Sequence, residues 1–122
     1  MLAVTCDDKL EYEDFVECAQ RYCKLLKEEH KCDLIIALTH MRMPNDRILA
    51  SSVPEIDLIL GGHDHMTIAE MNENTGVFTV KSGTDFEEFS DLLLYFDVQS
   101  KSESRLLKGM RNKNFNKKYD TS

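Results

Sequence analysis

Two short apolar runs, each followed by histidine, constrain the fold of this chain more than any other feature. Residues 34–38 read LIIAL and lead to His40, and residues 57–60 read DLIL and lead through two glycines to His63 and His65. A continuous apolar run without alternation is typical of a parallel strand that is buried on both faces. We therefore predict two buried parallel strands with histidines at their carboxyl ends.

Helical patterns precede and separate the two predicted strands. Residues 11–31 fit an amphipathic helix, and between the strands Pro44 suits a first helical turn while Pro54 ends a short helix. The predicted apolar stripe of the first helix consists of Phe15, Ala19, Tyr22, Cys23 and Leu26. That of the second consists of Ile48, Leu49 and Val53. A strand, a helix and a strand within about thirty residues predict a right-handed βαβ unit.

The second half of the chain has the pattern of antiparallel strands. Residues 68–71 and 77–81 flank the turn-rich stretch 72–76, which predicts a hairpin, and residues 91–98 predict a further strand. The predicted fold class is therefore α/β, with a βαβ unit followed by antiparallel strands.

Charge divides the chain into two unequal parts. Residues 1–98 hold 8 basic against 20 acidic residues, whereas residues 99–122 hold 7 against 2. We predict one domain over residues 1–98 and a basic, flexible tail over residues 99–122, with a short helix near residues 103–110. A basic tail can contact nucleic acid, but this one is short and has few aromatic residues, so no nucleic-acid partner is expected.

The sequence argues against a site built from cysteines and against a membrane-spanning segment in this chain. Cys6, Cys18, Cys23 and Cys32 have no C-x-x-C spacing, so we expect reduced, structural thiols rather than a zinc finger or a redox pair. No apolar run in this chain approaches the roughly 18 residues that span a bilayer, and its first residues do not resemble a signal peptide. The cellular compartment stays open.

The histidines at the two strand ends predict a metal site. Ligands of open α/β sheets collect outside the carboxyl ends of the strands, and neutral imidazole is the commonest metal ligand. We predict His40, His63 and His65 as ligands, and Asp64 as a neighbour that orients an imidazole. His30, in a charged segment, is expected at the surface. The simpler alternative is that each strand-end histidine is a polar loop residue.

Gly61 and Gly62 precede the second pair of histidines. Glycine is favoured where the chain adopts positive φ or where another group approaches the backbone closely. We expect one of these two reasons to apply at this strand end.

Two sequence motifs resemble those of a known enzyme family. The stretches DLIIALTH (residues 33–40) and IDLILGGHDH (56–65) resemble the last two metal-binding motifs of calcineurin-like metallophosphoesterases, in the variant of the 5'-nucleotidases. The stretch KSGTDF (81–86) is similar to the segment that follows them in that branch. The resemblance implies a four-layer fold with a β-sandwich flanked by helices. It also implies two divalent metal ions (Zn, Mn, Fe or Co) and hydrolysis of phosphate monoesters, such as nucleotides.

The resemblance also implies roles for individual residues. His40 and His63 would bind the second metal and His65 the first, whereas the family's D-x-H, G-D-x-x and G-N-H-[DE] motifs have no counterpart in this chain. We therefore expect the C-terminal part of a catalytic domain, without a catalytic residue of its own. It would be inactive without the N-terminal part as its partner, and it would expose a sheet face and strand edges. The alternative function is a non-catalytic binding or scaffold module derived from the same fold.

Overall fold

The computed structural model describes residues 11–96 and 106–107. Its elements are α1 (Phe15–Glu28), β1 (Ile36–Thr39), α2 (Met43–Ser52), β2 (Leu58–Gly61), β3 (Thr67–Met71), β4 (Phe78–Ser82), β5 (Tyr95–Phe96) and β6 (Leu106–Leu107). The described part therefore has the predicted mixture of α and β structure.

Helix α1 begins later than the predicted helix over residues 11–31 because Asp14 caps its first turn, and it ends earlier, at Glu28. The Asp14 carboxylate accepts hydrogen bonds from the backbone N–H groups of Val16 at 2.9 Å and Glu17 at 3.1 Å. Such a cap stabilises a helix by about 1 kcal/mol. His30, just beyond the helix, is exposed as predicted.

The predicted helix stripes are confirmed at most positions and wrong at two. Tyr22 of α1 is 51% exposed and Ile48 of α2 is 48% exposed. Tyr22 lies instead beside Arg21, whose guanidinium carbon is 5.0 Å from the centre of the ring. The stripe residues that pack into the core are Phe15, Ala19, Cys23, Leu26, Leu49 and Val53.

Strands β1 to β4 form one mixed sheet in the order β1-β2-β4-β3. β1 pairs parallel with β2, and β2 pairs parallel with β4. β3 pairs antiparallel with β4. The parallel pairing of the βαβ unit and the hairpin are thus confirmed.

The two faces of the sheet are covered to different extents. On the face that α1 and α2 cover, Val53, Ile56, Ile59 and Val77 are fully buried, with at most 1% exposure. On the opposite face, a smaller cluster of Leu58, Phe78 and Val80 packs against Leu60 and Leu92. The main core therefore lies between the helices and the sheet.

The prediction that β1 is buried on both faces is wrong. Ile36 is 46% exposed and Leu38 is 86% exposed, whereas Leu58 and Ile59 of β2 are buried. Within the described residues β1 is an edge strand that pairs with β2 alone, so its outer face lacks the neighbours that cover β2.

The end of the described chain differs from the prediction. Within the described part of the strand predicted over residues 91–98, residues 91–94 are not in a strand, and Tyr95–Phe96 pairs antiparallel with Leu106–Leu107. The short helix predicted near residues 103–110 is therefore wrong at the two residues of β6, because strand pairing overrides a weak local helical preference. Residues 97–98 and the rest of the basic tail lie outside the described residues.

Three cysteines fall within the described residues, and all three are free thiols as predicted. Cys23 is 3% exposed, and burial raises the pKa of its thiol. A buried thiol with a raised pKa is a poor nucleophile, which makes Cys23 a core residue. Cys6 lies outside the described residues. Neither described helix combines the length and the apolar character that crossing a membrane requires.

Candidate metal site

The predicted histidines lie at one edge of the sheet, in the loops that leave β1 and β2. His40 directly follows β1, and His63 and His65 follow β2. Thr39 and Gly61, the last residues of the two strands, are opposite each other in the parallel pair. The rings of His40 and His63 meet edge to face, with centroids 5.3 Å apart and planes at 79°. The structure therefore brings two of the predicted ligands into contact.

The side chains of His40, His63 and His65 are all exposed to solvent. Among the described residues, no group of three or more His, Cys, Asp or Glu side chains stands close enough to hold a metal ion. The described part of the chain thus contributes a pair of neighbouring imidazoles, with His65 on the same loop, and not a complete metal site.

The spacing of the paired imidazoles fits two ligands of one ion. With metal–nitrogen distances of about 2.1 Å and a tetrahedral angle, two imidazole centroids lie about 5 Å apart. The observed separation of the His40 and His63 centroids is 5.3 Å. Imidazole donors suit zinc and iron, among other transition metals. The residues present therefore fit part of a metal site.

The glycines before His63 are needed for close approach rather than for positive φ. A Cβ atom on Gly62 would stand 3.0 Å from Nδ1 of His40, and one on Gly61 would stand 2.9 Å from Cε of Lys81. Positive φ occurs instead at the histidines, with values of 78° at His63 and 54° at His65. Non-glycine residues in this region carry strain of about 1–3 kcal/mol, which persists only where the surroundings hold the backbone.

A buried ionic cluster, which the sequence did not predict, lies beneath the histidine loops. The side chains of Lys81 and Asp46 are 2% and 0% exposed. Nζ of Lys81 is 2.8 Å from Oδ2 of Asp46 and 2.7 Å from Oδ2 of Asp64. It also donates hydrogen bonds to the carbonyl oxygens of Met41 at 2.7 Å and Gly62 at 2.8 Å. One ammonium group thus contacts both histidine loops and α2.

Strand register explains how this cluster forms. Thr39, Gly61 and Lys81 lie side by side across β1, β2 and β4. Oγ1 of Thr39 donates a 2.6 Å hydrogen bond to Oδ1 of Asp46, and Oδ2 of Asp46 would be 3.4 Å from a Cβ on Gly61. The Asp46 carboxylate therefore sits over Gly61, between the hydroxyl on one side and the ammonium on the other.

A signal for the cluster is present in α2. Asp46 precedes Leu49, Ala50 and Val53 by three, four and seven residues, and all four are buried. An acidic residue at the head of an apolar stripe with helical spacing requires a buried cationic or hydrogen-bonding partner. That pattern could have revealed Asp46, although it does not identify Lys81 as the partner.

The charges of the cluster support one another. Burial lowers the pKa of Lys81, but the neighbouring carboxylates of Asp46 and Asp64 raise it by more, so that the pKa lies above its ordinary 10.5. The hydrogen bond from Lys81 and the one from the backbone of Met43 lower the pKa of Asp64 below its ordinary 3.8, against the opposing effect of desolvation. At neutral pH both Lys81 and Asp64 are therefore ionised.

Asp64 also caps helix α2 from another part of the chain. The N-cap residue Arg42 makes no side-chain capping bond, and Oδ2 of Asp64 instead accepts a 2.6 Å hydrogen bond from the backbone N–H of Met43. A carboxylate is stabilised at a helix N-terminus by the helix dipole. The hydrogen bonds described for Asp64 go to Lys81 and Met43 and not to an imidazole, so its predicted role in orienting an imidazole stays a prediction.

Three known proteins are similar to about half of this chain. The trifunctional nucleotide phosphoesterase protein YfkN of Bacillus subtilis is 45% identical over 60 residues, which is 49% of this chain and 4% of YfkN. An apyrase of Tabanus yao is 38% identical over 58 residues, which is 47% of this chain and 10% of the apyrase. Protein 5NUC of Lutzomyia longipalpis is 36% identical over 50 residues, which is 41% of this chain and 9% of that protein.

No family model and no solved structure matches the chain. The similar stretch spans only 4% to 10% of the length of the three relatives. All three are members of the 5'-nucleotidase family, which the sequence motifs resemble. The comparisons confirm that resemblance: over about half of its length, this chain is similar to proteins of the 5'-nucleotidase family.

Proposed function

We propose that this chain contributes ligands to the metal site of a phosphoester hydrolase that acts on nucleotides or other phosphate monoesters. The contact between the rings of His40 and His63, at the adjoining ends of two parallel strands, carries the proposal. The names of two relatives, a nucleotide phosphoesterase and an apyrase, support a nucleotide substrate. The proposed fold is the C-terminal part of a metallophosphoesterase domain over residues 1–98, followed by a basic tail over residues 99–122.

The proposed cofactor is a pair of divalent ions, with Zn, Mn, Fe and Co as candidates. When bound, such ions polarise a phosphoryl group and lower the pKa of bound water into the neutral range. His40, His63 and His65 are the proposed ligands from this chain. Gly62 lets the first imidazole lie against the second loop, because a side chain there would meet Nδ1 of His40.

The remaining ligands of such a site would come from outside the described residues. A pair of imidazoles with one further histidine is too few donors for two ions, each of which takes at least four ligands. In this proposal the missing donors belong to the N-terminal part of the same domain, which is the expected partner. The 122-residue chain alone is accordingly expected to be inactive as a phosphatase.

Cobalt binding by the chain tests the proposed ligands. We expect His40→Ala and His63→Ala each to weaken Co²⁺ binding at least tenfold, as followed by isothermal titration and visible absorption. His30→Ala is the matched control, since it removes an exposed imidazole that is not one of the proposed ligands. Equal binding by all three variants and the unmodified chain would show that the predicted residues are not ligands.

Hydrolysis is tested separately from metal binding. Extending the transcript at its 5' end should reveal in-frame D-x-H, G-D-x-x and G-N-H-[DE] motifs, and the longer product should hydrolyse AMP with Mn²⁺ or Zn²⁺. His63→Ala should abolish that activity. A longer product that carries these motifs but neither binds metal nor releases phosphate would favour the scaffold alternative.

A further inference from the structure

We propose that Lys81 is a positioning residue that holds the two histidine loops of the candidate metal site at a fixed separation. The inference rests on the proposed function only in taking a metal ion as the ligand of the histidines. The positioning depends on the contacts of Lys81 and can be tested in the chain without metal.

All the N–H donors of the Lys81 ammonium group are used in hydrogen bonds. An ammonium group has three N–H donors and no acceptor. Nζ makes three hydrogen bonds, to the carbonyl oxygens of Met41 (2.7 Å) and Gly62 (2.8 Å) and to Oδ2 of Asp64 (2.7 Å). Oδ2 of Asp46 lies 2.8 Å away without a hydrogen bond of its own, so it contributes as a charge. The ammonium group is therefore fully occupied.

The acceptors of these hydrogen bonds lie next to the proposed ligands in the sequence. Met41 directly follows His40, and Gly62 directly precedes His63. Asp64 separates the two histidines of the second loop. Each hydrogen bond of the ammonium thus ends within one residue of a proposed ligand. The ammonium therefore links the two loops through their backbones, in addition to the 3.0 Å hydrogen bond that the N–H of Gly62 donates to the carbonyl oxygen of Thr39.

The side chain of Lys81 reaches the histidine loops by passing over Gly61. Lys81 lies on β4 and is opposite Gly61 of β2, and its stem passes so close that a Cβ on Gly61 would be 2.9 Å from Cε and 3.2 Å from Cγ. The absent side chain of Gly61 therefore opens the route by which a lysine from β4 reaches the loop after β1. A long flexible stem with a compact ammonium suits this route better than the broad planar guanidinium of arginine.

The loop that Lys81 contacts after β2 has a strained backbone. His63 and His65 both have positive φ, at 78° and 54°, and such conformations persist when the surroundings hold them. The bonds from Lys81 to Gly62 and Asp64 alternate with these histidines along the loop. They are among the contacts that hold the strained backbone in place, together with the 3.1 Å hydrogen bond from the N–H of Asp64 to the carbonyl oxygen of Gly62.

The test compares imidazole contacts in the Lys81→Met chain with those in the unmodified chain. In isotope-labelled protein, we expect a nuclear Overhauser effect between the rings of His40 and His63 that disappears in Lys81→Met. Effects between core residues such as Val53 and Ile59 should persist, which shows that the variant still folds. Arg47→Met is the matched control, since Arg47 also forms an ion pair on α2 but is 60% exposed, and it should leave the ring contact unchanged.

A second variant covers the case in which Lys81→Met does not fold. Gly61→Ala keeps every charge and places a methyl group against the lysine stem, so it should weaken or abolish the same ring contact. Persistence of the His40–His63 contact in whichever of these variants folds would overturn the proposal. Co²⁺ affinity should fall about 10- to 100-fold in a variant that loses the contact. If the unmodified chain bound no Co²⁺ while Lys81→Met still lost the ring contact, the proposed function would fail and the positioning role would stand.

Discussion

Two adjacent residues of helix α2 form ion pairs in opposite environments. Asp46 is fully buried against Lys81, whereas Arg47 is 60% exposed and pairs with Glu70 through two hydrogen bonds of 2.8 and 2.9 Å. The exposed pair has the better bidentate geometry, yet water solvates both partners whether or not they meet. The buried pair has no such alternative, because removing one partner leaves an uncompensated charge in the core.

The comparison indicates that burial affects the contribution of an ion pair to stability more than its hydrogen-bond geometry does. The buried pair lies where β1, β2 and β4 end, beneath the proposed metal ligands. The exposed pair joins α2 to β3, away from the histidine loops. The two pairs therefore provide matched probes, on one helix, of site structure and of general stability.

Lys81→Met should have the largest effect on stability. It leaves Asp46 buried without a cationic partner, and breaking a buried pair in this way costs about 3–5 kcal/mol in the free energy of unfolding. Urea unfolding followed by circular dichroism measures the change. A loss no larger than that of Arg47→Met would remove the distinction between the two pairs.

Gly61→Ala should have an intermediate effect. The added methyl would stand 2.9 Å from Cε of Lys81, and overpacking of this kind costs about 1–3 kcal/mol. The control is Ala69→Gly on β3, which measures an ordinary exchange between alanine and glycine in the same sheet. Gly83→Ala does not serve as a control, because the positive φ of +75° at Gly83 would add backbone strain. Unchanged stability of Gly61→Ala would show that the path of the lysine stem tolerates a side chain.

Alkaline pH should weaken the contribution of the buried pair. Since Asp46 and Asp64 raise the folded-state pKa of Lys81 above 10.5, its stabilisation is fully present below pH 10.5 and is lost as pH rises through the folded value. The stability difference between the unmodified chain and Lys81→Met should therefore shrink above that pH. Urea unfolding of both proteins across this range measures it, and a constant difference would contradict the assignment of the charge to Lys81.

Arg47→Met should have the smallest effect. Its guanidinium and the Glu70 carboxylate are both accessible to water, so the urea midpoint should stay within experimental error of that of the unmodified chain. A destabilisation comparable to that of Gly61→Ala would show that the exposed pair is more than a surface contact.

Sequence reasoning predicted those features whose signals are local. The apolar runs and helix spacings lie within contiguous stretches, so the existence and order of α1, β1, α2, β2 and the hairpin followed from them. The proximity of His40 and His63 followed from the rule that parallel strands end at the same edge. Their role as metal ligands stays a prediction.

Features that depend on non-local pairing were missed. The exposure of Leu38 reflects the edge position of β1 in the sheet order, which no local pattern encodes. The partnership of Asp46 with Lys81 depends on strand register and on the gap at Gly61. A lysine at the end of a strand is usually solvated, and only the register shows that this one points under α2.

Zinc titration of the labelled chain, followed through the ring nitrogen shifts of its histidines, tests the central claim most directly. The account predicts that the ring resonances of His40, His63 and His65 shift together at low zinc concentration while those of His30 do not. Equal shifts of all four histidines, or shifts at His30 alone, would contradict the claim that the loops after β1 and β2 form part of a metal site.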